Sequence, residues 1–144
     1  MGRAMELTKY ELSFDSGPNR IFRNTLSNNK SHKCLVLGIG NEVGIISEYC
    51  DNVIGINISP EYLQKIRGFN ADLILADAQM LPIKDSCVDL IVCKSSLHHL
   101  TDLNHSVLEI KRVMIQGSYF FLYEPGLLNI IAFFWSKAFS NKYS

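Results

Sequence analysis

From residue 33 onward, short apolar runs alternate with segments of helical period. Cys34, Leu35, Val36 and Leu37 form an unbroken apolar run that ends in Gly38-Ile39-Gly40-Asn41-Glu42-Val43-Gly44. The run predicts a buried strand, and residues 43–50 predict the helix after it. A second strand is predicted over 52–57. Ser59-Pro60-Glu61 then supplies a capping hydroxyl, a proline for the first helical position and an acid for the first turn. That helix runs to about residue 67, where Gly68 stops it. Further strands are predicted over 71–76 and 88–93. Thr101 or Asp102 caps a helix in which Leu103, Val107, Ile110, Val113 and Met114 recur along one face. A fifth strand is predicted over 119–123, and the apolar segment 127–139 reads as a helix. Before residue 33 the chain is polar and irregular. One short helix begins near Ser16-Gly17-Pro18 and carries Ile21, Phe22 and Leu26.

Strands alternating with helices predict βαβ units and a parallel sheet. Parallel strands are covered on both faces, so they read as continuous apolar runs, as these do. The predicted fold class is α/β: a doubly wound, mostly parallel sheet of about five strands with helices on both faces. The segments are then an N-terminal stretch with a short helix (1–32), the α/β domain (33–125) and an apolar C-terminal helix or tail (126–144).

Composition narrows the partners. With 144 residues, 47% hydrophobic and 19% charged, the chain is long and apolar enough for one packed domain and is no disordered tail. Fourteen Lys and Arg balance fourteen Asp and Glu. There is no cationic surplus to neutralise phosphates, so nucleic acid is not the expected partner. The four cysteines, Cys34, Cys50, Cys87 and Cys93, form no Cys-x-x-Cys pair, and no His stands at metal-ligand spacing from them. They read as reduced, mostly buried thiols of a cytoplasmic protein, with no disulfide frame and no metal site. Residues 1–10 lack the apolar core of a signal peptide. The longest greasy stretch, 127–135, is interrupted by Asn129 and falls short of the roughly 20 apolar residues that span a bilayer.

In an open α/β sheet, ligands bind beyond the carboxyl ends of the strands. After the first predicted strand stands the glycine-rich turn, which lets backbone approach a ligand closely and opens a helix whose N-terminus favours anionic groups. After the second stands Asn57, 17 residues beyond Gly40, where a nucleotide-binding fold places its ribose-binding group. After the third stands Asp77, and after the fourth Lys94-Ser95-Ser96-Leu97-His98-His99. Polar groups at four successive strand ends, in register with a glycine-rich turn, point to a nucleotide-like ligand.

These residues carry a resemblance. Residues 35–44 resemble the first motif, Val-Leu-Asp-x-Gly-x-Gly-x-Gly, of the class I methyltransferases that use S-adenosylmethionine. Val53-Ile54-Gly55-Ile56-Asn57 resembles that family's second strand. Ala76-Asp77-Ala78-Gln79-Met80-Leu81-Pro82-Ile83 is similar to its Asp-Ala-x-x-Leu-Pro-Phe stretch. Val88-Asp89-Leu90-Ile91-Val92 with Leu97-His98-His99-Leu100, and Glu109-Ile110-Lys111-Arg112-Val113-Met114, resemble its later motifs. The match runs over about 33–125. The resemblance implies a Rossmann-like fold, S-adenosylmethionine as cofactor and a small-molecule methyl acceptor. It implies that Gly38, Gly40, Asn41 and Gly44 shape the turn around the methionine part. Asn57 would meet the ribose and Ile58 pack on adenine. Asp77 would accept from the adenine amino group with Ala78 beside it, and Lys94 and Ser95 would line the methionine end. His98 and His99 are the candidates on the acceptor side; no catalytic residue is assigned.

The chain departs from the pattern at three positions. The acid that ends the family's first strand is Gly38, the middle glycine of the turn is Glu42, and the ribose-binding acid is Asn57. Glu42 pointing inward would repel a cofactor carboxylate, and pointing outward would be harmless. Family members also continue past the fifth strand with two more strands. Here the apolar run 127–135 would cover the sheet edge or pack on a partner, a second copy included. Two other readings stay open: a methyltransferase-like interaction domain without activity, and an NAD(P)-binding oxidoreductase domain, since Gly38-x-Gly40 followed by Gly44 resembles that turn as well. Of the remaining residues, Asp89 at the start of the fourth strand reads as structural. His32 and His105 read as surface residues, and Glu109 and Arg112 as a surface pair. Tyr10 and Phe14 read equally as a lid or as ordinary packing.

Overall fold

The computed structural model describes residues 18–28, 31–40, 42–94, 96–123 and 131–135. The chain falls into two compact units, Met1–Lys30 and Ser31–Ser144. In the first, helix α1 spans Pro18–Asn28. Pro18 stands at its start, where a preset φ helps and a missing N–H breaks no helical bond. Tyr10 and Phe14 lie outside the described residues.

The second unit runs β1 (Ser31–Leu37), α2 (Val43–Tyr49), β2 (Cys50–Asn57), α3 (Pro60–Lys65), β3 (Asp72–Leu75), β4 (Val88–Lys94), a tight helical turn (Leu97–His99), α4 (Leu103–Val113), β5 (Met114–Tyr123) and β6 (Ile131–Trp135). The sheet order is β3-β2-β1-β4-β5-β6. The first five strands pair in parallel, and β6 runs antiparallel to β5. This is the Rossmann-like, doubly wound fold expected. From β1 the chain steps outward through β2 to β3, then crosses back to β4 and β5 on the other side. Crossovers are right-handed, so reversing the direction of travel moves the helices to the opposite face.

Burial explains the apolar runs. Cys34, Leu35, Val36 and Leu37 are each at most 1% exposed, because β1 is central and both of its faces are covered. Leu35, Leu37, Ile56, Ile91, Cys93 and Phe120 share one core with Ile110 and Val113 of α4. Local signals hold where they were clear. Ser59 caps α3, its hydroxyl accepting from the Tyr62 N–H. Asp102 is the cap of α4 and accepts from the His105 N–H at 2.9 Å. Asp89 accepts the backbone N–H groups of His32 and Lys33 at 2.9 and 3.0 Å, which joins the starts of β4 and β1. Among the described residues, no helix is long and apolar enough to cross a membrane.

Three expectations are corrected. The segment predicted as a C-terminal helix contains β6, in which Ile131–Trp135 pairs with Tyr119–Tyr123. A short apolar run cannot be assigned by periodicity alone; here β5 offers a row of backbone donors and acceptors at its open edge, and a segment rich in aromatics takes it. Secondly, Cys34 and Cys50 form a disulfide, with Cα atoms 6.2 Å apart, while Cys87 and Cys93 are free. Their sequence separation of 16 gave no hint of contact. The two cysteines stand on neighbouring strands, β1 and β2, whose register sets Cys50 opposite Ser31 and Cys34 opposite Val53. Thirdly, Glu109 and Arg112 are more than a surface pair. The Arg112 guanidinium donates to both Glu109 oxygens at 2.7 and 2.8 Å, to the carbonyls of Ile83 and Leu81 at 2.7 and 3.0 Å, and to Asp85 at 2.6 Å. Glu109 accepts the Leu81 N–H at 2.8 Å. Together they clamp the β3–β4 loop onto α4.

The clamp has a pH signature. Arg112, and to a lesser degree the Leu81 N–H, hold the Glu109 carboxyl below its ordinary range. A depressed folded-state pKa stabilises the fold above the unfolded value, near 4.3, and the gain is lost as pH falls through the folded value. Arg112→Ala is expected to cost about 2 kcal/mol at neutral pH, since it strands Glu109 and two carbonyls. In urea unfolding, the advantage of the native chain over Glu109→Gln should be full at pH 7 and shrink below about pH 4; a difference that does not vary with pH would refute the clamp.

Candidate functional site

The carboxyl ends of β3, β2, β1 and β4 lie side by side. Ile74 pairs with Ile56, Ile56 with Leu37, and Leu37 with Cys93. One residue beyond that row come Leu75, Asn57, Gly38 and Lys94. The loops leaving these four ends enclose a cavity of about 540 Å³, a size suited to a small ligand. It sits where strand order reverses, between β1 and β4.

Of the predicted residues, Gly38, Gly40, Asn57, Ile58, Asp77, Ala78, Lys94 and His99 line the cavity. Gly44 does not; it lies in α2, where an added Cβ would stand 3.0 Å from the Phe69 ring. Asn41 and Ser95 lie outside the described residues. The backbone of His98 is in the turn Leu97–His99, and its side chain is not described. Among the described residues, no group of three or more His, Cys, Asp or Glu is placed to hold a metal ion.

The glycine-rich turn is built differently from its sequence pattern. Gly38 has φ +70, and a Cβ there would fall 1.8 Å from Ser96 Oγ. The Ser96 hydroxyl, which donates to the Lys94 carbonyl at 3.1 Å, therefore fills the space of any side chain at position 38. Gly38 and Ile39 donate their N–H groups to the Ile56 carbonyl at 2.8 and 3.0 Å. The Gly40 N–H goes to Glu42 Oε1 at 3.0 Å. Glu42 thus points neither into the cavity nor out to solvent. It is buried under its own turn, which a carboxylate tolerates only with donors and a positive charge nearby. Lys94 is that charge. Burial pushes its ammonium below the ordinary lysine value, and the Glu42 carboxylate opposes that fall.

On the other side of the cavity the polar side chains hold the loops. Asn57 donates to the Ile39 carbonyl at 3.0 Å and accepts the Ser59 N–H at 2.9 Å, stapling the β1 and β2 loops together. Asp77 accepts the Gln79 N–H at 2.8 Å and, through both oxygens, the Gln79 side-chain amide at 3.1 and 3.0 Å. The amide oxygen of Gln79 in turn accepts from the Thr101 hydroxyl at 3.0 Å and the Asp102 N–H at 2.8 Å. Gln79 therefore straps the β3 loop to the start of α4.

Sequence reasoning assigned no role to Gln79, Ser96 or Tyr62, all of which line the cavity. Position was the available signal for each. Gln79 lies two residues past Asp77, Ser96 two past Lys94, and Tyr62 in the first turn of α3.

Comparison with known proteins agrees with this geometry. A family model described as a methyltransferase domain matches residues 35–122. An uncharacterized methyltransferase, YcgJ of Bacillus subtilis, is 28% identical over 92 residues, 59% of this chain and 36% of that protein. The ubiquinone/menaquinone biosynthesis C-methyltransferase UbiE of Acidiphilium cryptum is 38% identical over 58 residues, 40% of this chain and 23% of that one. The chain thus spans only about a third of these relatives' length or less. Among solved structures, that of B. subtilis YcgJ superposes with a TM-score of 0.65 at 26% identity, covering 72% of this chain and 48% of that one. The N-methyltransferase NodS of Bradyrhizobium japonicum, solved with S-adenosyl-L-homocysteine, shares the fold with a TM-score of 0.60 at 18% identity, covering 76% of this chain and 63% of that one.

The packing of Ser96 against Gly38 makes a double-mutant prediction. Gly38→Ala combines a left-handed backbone with a clash and should destabilise the fold by about 2–4 kcal/mol. Adding Ser96→Gly should return the steric part and leave about 1–2 kcal/mol of backbone cost. Denaturant unfolding of both variants measures this, and additive losses would show that the two positions do not touch.

Proposed function

The chain belongs to the methyltransferase domain family, and on that premise we propose that it is an S-adenosylmethionine-dependent methyltransferase acting on a small molecule. One observation carries the reading. A cavity of about 540 Å³ opens at the switch point of the sheet, with a carboxylate, Asp77, at one end and an ammonium, Lys94, at the other.

The residues present suit this cofactor. Glu42, the side chain that most threatened it, stays out of the lining and takes its hydrogen bond from its own turn. Asp77 has acceptor capacity beyond its bonds to Gln79, since a carboxylate offers about four lone-pair sites; it is assigned the adenine amino group. Ile58, 72% exposed, and Tyr62, 56% exposed, offer apolar surface beside it for the base. Asn57 is assigned the ribose hydroxyls through the amide hydrogen and lone pair that its staple bonds leave over. Gly38 and Gly40 keep side chains away from the sugar and the chain that leaves it. Lys94 and Ser95 are assigned to the methionine end, and His98 and His99 to the acceptor side.

The cofactor supplies a methyl group on a sulfonium that is already reactive. The task of the protein is then largely positional: holding the cofactor still, keeping water out and letting an acceptor line up. The role in the name of UbiE, in quinone biosynthesis, supports a small-molecule acceptor. The name of NodS in complex with S-adenosyl-L-homocysteine supports the cofactor.

Isothermal calorimetry with S-adenosylhomocysteine should give a Kd in the micromolar range, and Asp77→Ala should weaken it about tenfold, the worth of one hydrogen bond to a charged acceptor. No heat and no thermal shift at millimolar ligand would remove the reading and leave an interaction domain. Binding of reduced nicotinamide dinucleotide in place of S-adenosylhomocysteine would move the chain to the oxidoreductase class.

A further inference from the structure

One side chain in the cavity wall serves two loops. Gln79 lines the cavity beside Asp77 of the β3 loop and beside His99, Leu100 and Thr101, which precede α4. Among the described residues, all three hydrogen bonds that the Asp77 carboxylate accepts come from Gln79. The backbone N–H and the amide nitrogen of Gln79 reach Oδ1 at 2.8 and 3.1 Å, and the amide nitrogen reaches Oδ2 at 3.0 Å. The amide oxygen faces the other way. It accepts from the Thr101 hydroxyl at 3.0 Å and from the Asp102 N–H at 2.8 Å, 22 and 23 positions further along the chain.

These partners dictate the residue type. An ionised carboxylate only accepts and a backbone N–H only donates, so the group between them must donate at one end and accept at the other. A glutamine amide does both, and the same partners settle which way it is turned. A glutamate would set carboxylate against carboxylate, and a lysine would leave the Asp102 N–H without an acceptor. The bonds also single out one lone pair. A carboxylate oxygen has about two. Both of those on Oδ1 are taken, and Oδ2 keeps one. A ligand donor that reaches Asp77 therefore has Oδ2 to bind. Held from two sides, the half-buried carboxylate has little rotamer freedom left to lose when the ligand arrives.

We propose that Gln79 is the positioning residue for the Asp77 end of the cavity: anchored to the start of α4, it fixes the Asp77 carboxylate so that Oδ2 receives the amino group of the base. The proposal rests on the S-adenosylmethionine reading above. Gln79 acts through Asp77, and its own anchor lies on a different loop from the residue it orients.

Calorimetry with S-adenosylhomocysteine, on the full chain, tests this by exchanging the two groups. Gln79→Glu faces Asp77 with a second carboxylate and should weaken binding about tenfold or more. Asp77→Asn alone sets amide against amide. Its oxygen must turn to Gln79 and its nitrogen to the ligand, so it should lose about as much. Asp77→Asn combined with Gln79→Glu restores a donor facing an acceptor, with the polarity reversed. The new asparagine donates to the new glutamate and keeps its oxygen for the ligand, and binding should recover to within about threefold of the native chain. Gln79→Leu should weaken binding about 3- to 10-fold when Asp77 is present, and less than about twofold in the Asp77→Ala background. If Gln79→Leu fails to fold, as its urea midpoint will show, the exchange decides alone. A double exchange no better than either single variant, single variants that bind like the native chain, or a Gln79→Leu loss that is the same with and without Asp77 would overturn the positioning role and leave the cofactor standing. If the native chain binds no S-adenosylhomocysteine, the cofactor reading itself fails and Gln79 loses this role with it.

Discussion

β1 pairs in parallel along both of its edges, with β2 on one side and β4 on the other, and the cavity depends on that pairing. Parallel ladders align strands in register, so residues that are far apart in the chain finish at the same height. Gly38, Asn57, Asp77 and Lys94 meet for this reason. Any slip of one strand by one residue would exchange its two faces and remove its polar end from the row. Burial of β1 at 1% exposure or less makes such a slip costly, because the displaced side chains would leave a packed core on both faces.

A second constraint is that buried polar groups must find partners. It explains why so many side chains around the cavity are tied to loops. Asn57 joins the β1 and β2 loops, Gln79 joins the β3 loop to the start of α4, and Arg112 with Glu109 fixes the β3–β4 loop from below. The same rule governs the turn. A glutamate placed among the glycines is tolerated because it takes the Gly40 N–H and faces Lys94. The loss of an acid at position 38 is matched by Ser96, which occupies the space. Gly38, Glu42, Lys94 and Ser96 form one local solution, and each is intelligible only beside the other three.

Some of this was legible along the chain. Apolar runs ending in turn residues located the central strands β1 and β4, because burial on both faces leaves no polar alternation. Ser59 and Asp102 marked helix starts, because a cap is a local hydrogen bond between residues a few positions apart. The order of the motifs around Gly38, Asp77 and His99 pointed to one rim of one sheet. What escaped was of another kind. Gln79 and Arg112 act on partners more than twenty positions away, and residue type gives little warning of that. The segment 131–135 was read as a helix because a brief apolar run fits either period, and only the open edge of β5 decided between them.

The sequence by itself determined the class of fold and the rim on which a ligand would sit. Both follow from hydrophobic periodicity and from the residues that end each run, which are local properties. Tertiary structure alone decided where Glu42 would put its charge, that Cys34 would meet Cys50, and that Gln79 would strap the β3 loop to the start of α4. Those outcomes depend on distances between segments that are remote in the chain, and such distances exist only once the sheet has set its order and register.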